Sequence, residues 1–424
     1  MSACLQELAA ARARKEYRGI YSVCSAHPWV LEAAMRRAPI GNSPLLIEAT
    51  CNQVNQFGGY TGMTPADFRV RVYEIAARVG FPRDRILLGG DHLGPNPWQD
   101  LRAEQAMSHS AEMVRLYVRD GFHKIHLDAS MPCAGDPNPL PEETIAKRAA
   151  FLCSIAESSS HEPQPVYVVG TEVPTPGGAA EHAAIAITRR EAAEQAILVH
   201  RQAFAAAGLH SAWDRVIALV VQPGVEFNNE SVTDYVPSQA VSLCQVLRGH
   251  PKLVFEAHST DYQRQQALAE LVRDGFAILK VGPALTYAMR QALFALATIE
   301  EQCILPAQQS KLPEAIEHAM LQQPEHWKKH YRGSPQEEHG LRIHSYSDRI
   351  RYYWTDPAVQ YATNILITNL EARGIPETLL SDFLPSQYSK VRQGTLKNAP
   401  LPLIFDKIGD ALDPYIAACG GPVS

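Results

Sequence analysis

Eight short apolar runs, rich in β-branched residues, alternate with longer stretches of helical period through the first two thirds of the chain. The runs are Arg18–Cys24, Leu45–Thr50, Ile86–His92, Lys124–Asp128, Val166–Glu172, Val216–Gln222, Leu253–His258 and Ala277–Gly282. Pro65–Val79 and Glu104–Arg119, which lie between them, repeat their apolar positions at helical spacing. Strands alternating with helices predict parallel βαβ units, and eight such units predict an α/β fold of the (β/α)8 TIM-barrel kind. In that fold the C-terminal ends of the strands line the functional face. Those ends carry Glu48, Asp91, His92, Asp128, Glu172, Gln222, His258 and Lys280.

Beyond residue 299 the strand-like runs stop and helical periods take over, as in Leu312–Leu321 and Ser347–Trp354. The expected organisation is a barrel over 1–298 and a helical C-terminal extension over 299–424, with residues 1–16 forming a helix at or beside the barrel bottom. The extension suits a lid, a platform for a partner or the interface of a homo-oligomer, which is the expected state. Asp348–Trp354 reads either as an amphipathic helix burying its aromatics or as a way to bring an arginine to the barrel mouth or to a subunit contact.

Composition narrows the classes. The 424 residues are 46% hydrophobic and 20% charged, ample for a large buried core. A net charge of −6 and no basic block argue against nucleic acid. No apolar stretch approaches the ~20 residues that span a bilayer, so no membrane partner is expected. Met1–Arg14 has no secretory apolar region. Eight cysteines without CxxC spacing read as reduced thiols of a cytoplasmic protein.

Candidate chemistry gathers at the strand ends. Asp91 and His92 sit among glycines in Gly89–Gly94. Period two places Glu256 and His258 on one face of the seventh strand, across the barrel from the third. His92 and His258, with Glu172 and Gln222 between them, suit an open site for one divalent cation, Zn, Mn or Mg. Asp91 is the first candidate for proton transfer, with Glu172, Asp128 and Glu48 beside it. Asp128 shares a face with His126; it suits a salt bridge, a substrate hydroxyl or the orienting of a ligand histidine. The amide- and glycine-rich loop Cys51–Thr64 offers Asn52 and Asn55 to hydroxyl groups. With the loops Ala129–Pro141 and Val173–Ala180 it would form one polar rim. Ser259 and Thr260 after strand seven, with Lys280, the Gly282 amide and a helix N-terminus after strand eight, occupy the usual phosphate position of a barrel. There is no G-x-x-x-x-G-K-[ST] loop for a P-loop kinase and no GxGxxG after the first strand for NAD.

Seven motifs, in order, resemble the tagatose-bisphosphate aldolase accessory-subunit family of the GatZ/KbaZ type. They are Ser22–Pro28, Ile47–Thr50, Asn52–Met63, Gly89–Pro95, Lys124–Ser130, Gly170–Pro174 and Glu256–Tyr262. The resemblance runs through essentially the whole chain and implies the fold of class II, metal-dependent aldolases. It implies that Asp91 is the acid/base, that His92 and His258 are ligands, and that Gln222 stands where those aldolases use a further histidine, with Glu172 compensating. Two functions are implied for members. One is the non-catalytic subunit that stabilises a separate class II tagatose-bisphosphate aldolase. The other is a stand-alone D-tagatose 6-phosphate 4-epimerase acting on a phosphorylated ketohexose. The name tagatose 6-phosphate kinase, also used for members, finds no support in a chain without a P-loop. C4 of a 2-ketose is β to the carbonyl, so its C–H is not acidic; inversion needs transient oxidation or cleavage and re-formation of C3–C4. Without a dinucleotide motif, the second route is expected.

Overall fold

Eight parallel strands close into a barrel: β1 (Ile20–Val23), β2 (Leu45–Thr50), β3 (Ile86–Leu93), β4 (Lys124–Leu127), β5 (Val166–Val169), β6 (Val216–Val221), β7 (Val254–Ala257) and β8 (Phe276–Val281). They follow one another in chain order around the barrel, and β8 pairs with β1 to complete it. This is a computed structural model that describes residues 3–39, 43–161, 163–171 and 185–420. All eight expected strands are present.

Helices cover the outside. Ala103–Arg119 buries Ala106, Met107, Ser110, Met113, Val114, Tyr117 and Val118, a stripe at helical spacing. Each large apolar side chain so buried contributes about 1.5–3 kcal/mol. Pro65–Val79 starts at a capping box in which Thr64 and Asp67 bond each other's backbone amides. The expected N-terminal helix forms over Ala3–Ala13 and plugs the barrel bottom. Leu5, Leu8 and Ala9 join Ile20, Leu46, Leu87, Val166, Val254 and Ile278 in one apolar cluster.

Above that apolar layer the interior turns polar. Lys124 and Glu256 are wholly buried, and the Lys124 ammonium lies 2.7 Å from both Glu48 and Glu256. Lys280 reaches Glu48 and, at 2.8 Å, Asp91. Ser22 donates to Glu48.

After β8, among the described residues, the chain is helical. The helix Pro283–Cys303 runs across residue 298, and Pro400–Ala418 packs against it and against Pro28–Arg37 and Gln265–Asp274. One apolar core holds both regions: Leu293 and Leu296 share it with Leu366, Leu403 and Leu412. Ser347–Trp354 corrects an expectation. It is not an amphipathic helix but a short 3-10 turn, Arg349–Tyr352, entered through Asp348 at φ 42°. A second addition is the small antiparallel ribbon Glu226–Phe227 and Val232–Thr233 after β6. Asn229 at its tip bonds Ser345, Ser347 and the backbone of Tyr346, tying the extension to the barrel mouth. Among the described residues, no helix is long and apolar enough to cross a membrane.

Removing one partner of a buried ionic group leaves the others uncompensated. Lys124→Met is therefore expected to lower stability by about 3–5 kcal/mol, read from the midpoint of a urea titration.

Candidate active site

The site begins with a register slip. Gly90 of β3 pairs with Ile125, and the next match is Leu93 with Leu127, so β3 carries one extra residue. Such a bulge breaks strict alternation. It lets Asp91 and His92 both face the interior, His92 at φ 50°. Two glycines make room. A Cβ at Gly94 would lie 1.6 Å from the Asp128 carbonyl oxygen, and one at Gly89 would lie 2.6 Å from Glu48 Oε1.

Three imidazoles meet above the bulge. Ring centroids of His92, His126 and His258 are 4.8 to 5.2 Å apart. Each turns one nitrogen to a carboxylate: His92 Nδ1 to Asp128 at 2.7 Å, His126 Nδ1 to Asp91 at 2.9 Å, and His258 Nε2 to Glu256 at 2.9 Å. Asp91, His92 and His258 form the floor of a cavity of about 460 Å³, with His126 wholly buried behind them; the walls come from the loop after β2, the loop after β7 and the C-terminal turn.

Over residues 5–420 the chain matches the family described as D-tagatose-1,6-bisphosphate aldolase subunit GatZ/KbaZ-like. The chain belongs to this family. The crystal structure of a probable tagatose 6-phosphate kinase from Sinorhizobium meliloti 1021 is 49% identical, with a TM-score of 0.88 over 95% of this chain and 100% of that one. The YdjI aldolase from Escherichia coli K12 is 10% identical at a TM-score of 0.41, covering 87% of this chain and 96% of its own. The fructose-bisphosphate aldolase from Campylobacter jejuni is 14% identical at 0.40, covering 89% and 94%. Likeness at those last two levels carries no argument here.

The donor set of this GatZ/KbaZ-like protein fits a divalent cation. Ligand atoms of Asp91, His92, His126 and His258 all lie within 4.8 Å of one another. His126 Nε2 is buried without a hydrogen-bond partner. His126 Nδ1 lies within reach of both the Asp91 carboxylate and the His92 backbone N–H, which donates to it at 3.2 Å, while Nε2 stands beside the other two rings. Three imidazoles each anchored on a carboxylate is the usual arrangement behind metal-ligating histidines. The electrostatics agree. Burial pushes His258 down to about 4, against the pull of Glu256, so its imidazole is neutral. Burial also opposes charge on His92, but Asp91 and Asp128 outweigh it and hold its pKa above the usual value. Burial would raise Asp91, yet His92, Lys280 and His126 hold it well below the usual carboxylate range.

Several expected residues lie elsewhere or are already engaged. The Gln222 oxygen, its only side-chain donor to a cation, accepts from the amides of Gly224 and Val225 at 2.8 and 3.0 Å. Both its lone pairs are used, and His126 stands in the cluster instead. Glu172 and the loop Val173–Ala180 lie outside the described residues. Asp128 is below the cavity; it holds His92 and accepts from Ser130. Glu48 is wholly buried beneath the site on Lys124 and Lys280. Asn52 lines the cavity, whereas Asn55 uses its side chain to build the loop, donating to the Cys51 carbonyl and accepting from Phe57 and Gly59. The loop Ala129–Pro141 packs on the helix that follows it, with Asp136 paired to Arg148.

The expected phosphate cradle is also overturned. Asp261 takes the Gly282 and Ala284 amides at 2.9 and 2.8 Å, filling the helix N-terminus with a carboxylate of the protein itself. Burial, opposed by those amides, pushes Asp261 up to about 6. Thr260 is fully buried and donates to the Lys280 carbonyl, while the Lys280 ammonium serves Glu48 and Asp91. Ser259 lines the cavity with Lys280 and Gly282, and its side chain is bonded to Glu226.

Sequence reasoning passed over His126 as a donor, although period two had placed it inward beside Asp128. Because the Cβ of an alanine at 94 collides with backbone, Gly94→Ala is expected to cost about 4 kcal/mol or more, measured by thermal or urea unfolding.

Proposed function

We propose that this chain is a metal-dependent D-tagatose 6-phosphate 4-epimerase, forming D-fructose 6-phosphate by cleavage and re-formation of the C3–C4 bond. One observation carries the reading: three imidazoles and the Asp91 carboxylate converge, and Asp91, His92 and His258 of that set open onto a cavity large enough for a sugar phosphate. His92, His126 and His258 would hold the cation, with Asp91 beside them. A divalent cation bound there would supply Lewis acidity to a ketose carbonyl and its enediolate.

The chain's own groups do the rest. Lys280 and His126 fix Asp91 and keep it ionised. Asp91 takes the proton of the C4 hydroxyl as the C3–C4 bond breaks. The bonding pair passes to the C2 carbonyl, leaving the enediolate of dihydroxyacetone, and C4 becomes the aldehyde of glyceraldehyde 3-phosphate. The aldehyde turns over, the pair returns to C4 on its other face, and the proton returns to the new hydroxyl. Asn52 and Thr50 on the cavity wall hold the hydroxyls of the fragments during the turn.

The family's description names an aldolase subunit, which favours a second reading: a non-catalytic partner of a class II tagatose-bisphosphate aldolase. That reading gives no chemical reason for a complete donor set. The two part on turnover. Asp91→Asn is expected to lower kcat about 100- to 10,000-fold in a coupled assay for fructose 6-phosphate, with melting temperature and metal content kept. Unchanged turnover would remove Asp91 from the chemistry; an inert wild-type chain that co-purifies with an aldolase would favour the second reading. Elemental analysis is expected to find one divalent ion per chain, lost in His258→Ala and His126→Ala and retained in Gln222→Ala.

A further inference from the structure

With the strand-eight amides closed by Asp261, the phosphate needs another seat, and the cavity has positive charge at its outer end. Three arginines gather near it, Arg349 and Arg351 from the extension and Arg290 from the helix Pro283–Cys303, where its guanidinium lies 4.2 Å from the Tyr287 ring centroid. Arg290 and Arg349 are 3% and 5% exposed, and neither they nor Arg351 make an ion pair among the described residues. Arg290 Nε and Nη2 and Arg349 Nε are buried without a hydrogen-bond partner. Buried cations without counter-ions are costly unless something pairs them. Two carboxylates act on Arg351 from nearby, and both are engaged: Asp348 accepts from Thr286, and Asp261 accepts from the Gly282 and Ala284 amides. Burial, with the neighbouring Arg351, pushes Arg349 down to about 10, despite Tyr352 beside it.

Of the three, Arg351 is in the cavity wall, with Tyr60, Tyr352 and Thr286. It is pre-set: one nitrogen donates to the Ser347 and Asp348 carbonyls and the other to the Tyr352 hydroxyl at 3.1 Å. Those bonds leave Nε–H and one N–H of a planar fork, the geometry that suits a phosphate. Tyr352 is clamped between Tyr60 and His326, each ring centroid 4.7 Å from its own. Arg71, exposed and without an ion pair among the described residues, lines the same cavity.

We propose that the turn Asp348–Trp354 is the anion seat of the cavity, in which Arg351, with the hydroxyls of Tyr60 and Tyr352, receives the phosphate of a sugar phosphate whose reacting carbons lie over the histidine floor. The choice of sugar rests on the epimerase reading; the anion seat does not. It makes the C-terminal extension part of the site, so the barrel alone would bind the sugar without holding its phosphate.

Titration calorimetry on the full-length protein tests this with inorganic phosphate, D-tagatose 6-phosphate and D-tagatose. Wild type is expected to bind both phosphate-bearing ligands. Arg351→Gln is expected to weaken each at least tenfold and leave D-tagatose unchanged, and Arg351→Lys, which keeps the charge but not the fork, to recover part of the loss. Should Arg351→Gln melt early, Tyr60→Phe, which keeps the ring contact with Tyr352, is expected to weaken phosphate binding by a smaller factor. Phosphate affinity unchanged in these variants, or absent in wild type, would overturn the proposal. Arginine-dependent phosphate binding without turnover would uphold the seat and remove the epimerase; turnover with an unaltered KM in Arg351→Gln would do the reverse.

Discussion

Four carboxylates, Glu48, Asp91, Asp128 and Glu256, are buried in this barrel with two ammonium groups, Lys124 and Lys280. Among these groups alone, four acidic side chains face two basic ones, and the interior of a barrel is a poor place for the difference: each ion taken from water costs several kcal/mol. The upward pull on the His92 pKa shows the imbalance, since a proton there is the charge the protein itself can add. One divalent cation would balance the set and displace that proton, since metal binding and deprotonation of a ligand are linked. The same carboxylates hold the histidines in place, so charge balance and ligand geometry are one constraint. The β3 bulge, Gly89 and Gly94 follow from it: without the extra residue, Asp91 and His92 would face opposite sides of the sheet, and with larger residues the bulge would not fit.

The rest of the chain closes what the barrel leaves open. The N-terminal helix seals the bottom with Leu5 and Leu8, so the polar layer has a dry base. At the other end the extension returns to the mouth through Asn229 and the Thr286–Asp348 bond. A floor that would hold a cation and an outer wall that would hold an anion would orient a sugar phosphate by its two ends.

The barrel was legible because the apolar runs of parallel strands are short, continuous and regularly spaced. The strand ends were legible too, since period two fixed the faces of His126, Asp128, Glu256 and His258. The bulge was not, because a register slip depends on pairing with β4 rather than on β3 alone. Gln222 looked like a ligand by its place at a strand end; its use as an acceptor for the next two amides is a loop property that spacing does not encode. The phosphate cradle failed for a related reason: Asp261 lies three residues past His258, and nothing local says that its carboxylate crosses to the amides after β8. The Arg349–Tyr352 turn shares its composition with an amphipathic helix; contacts with Thr286, Tyr60 and His326, all distant in sequence, decide its shape.

We infer that one chain holds a complete metal-dependent epimerase. The most direct test is to purify the chain alone, strip it with a chelator, add back Mg, Mn or Zn, supply D-tagatose 6-phosphate and follow D-fructose 6-phosphate with a coupled assay. No product is expected from the stripped protein, and product once a cation is restored. A protein that binds the cation yet forms no product with any of the three would contradict it.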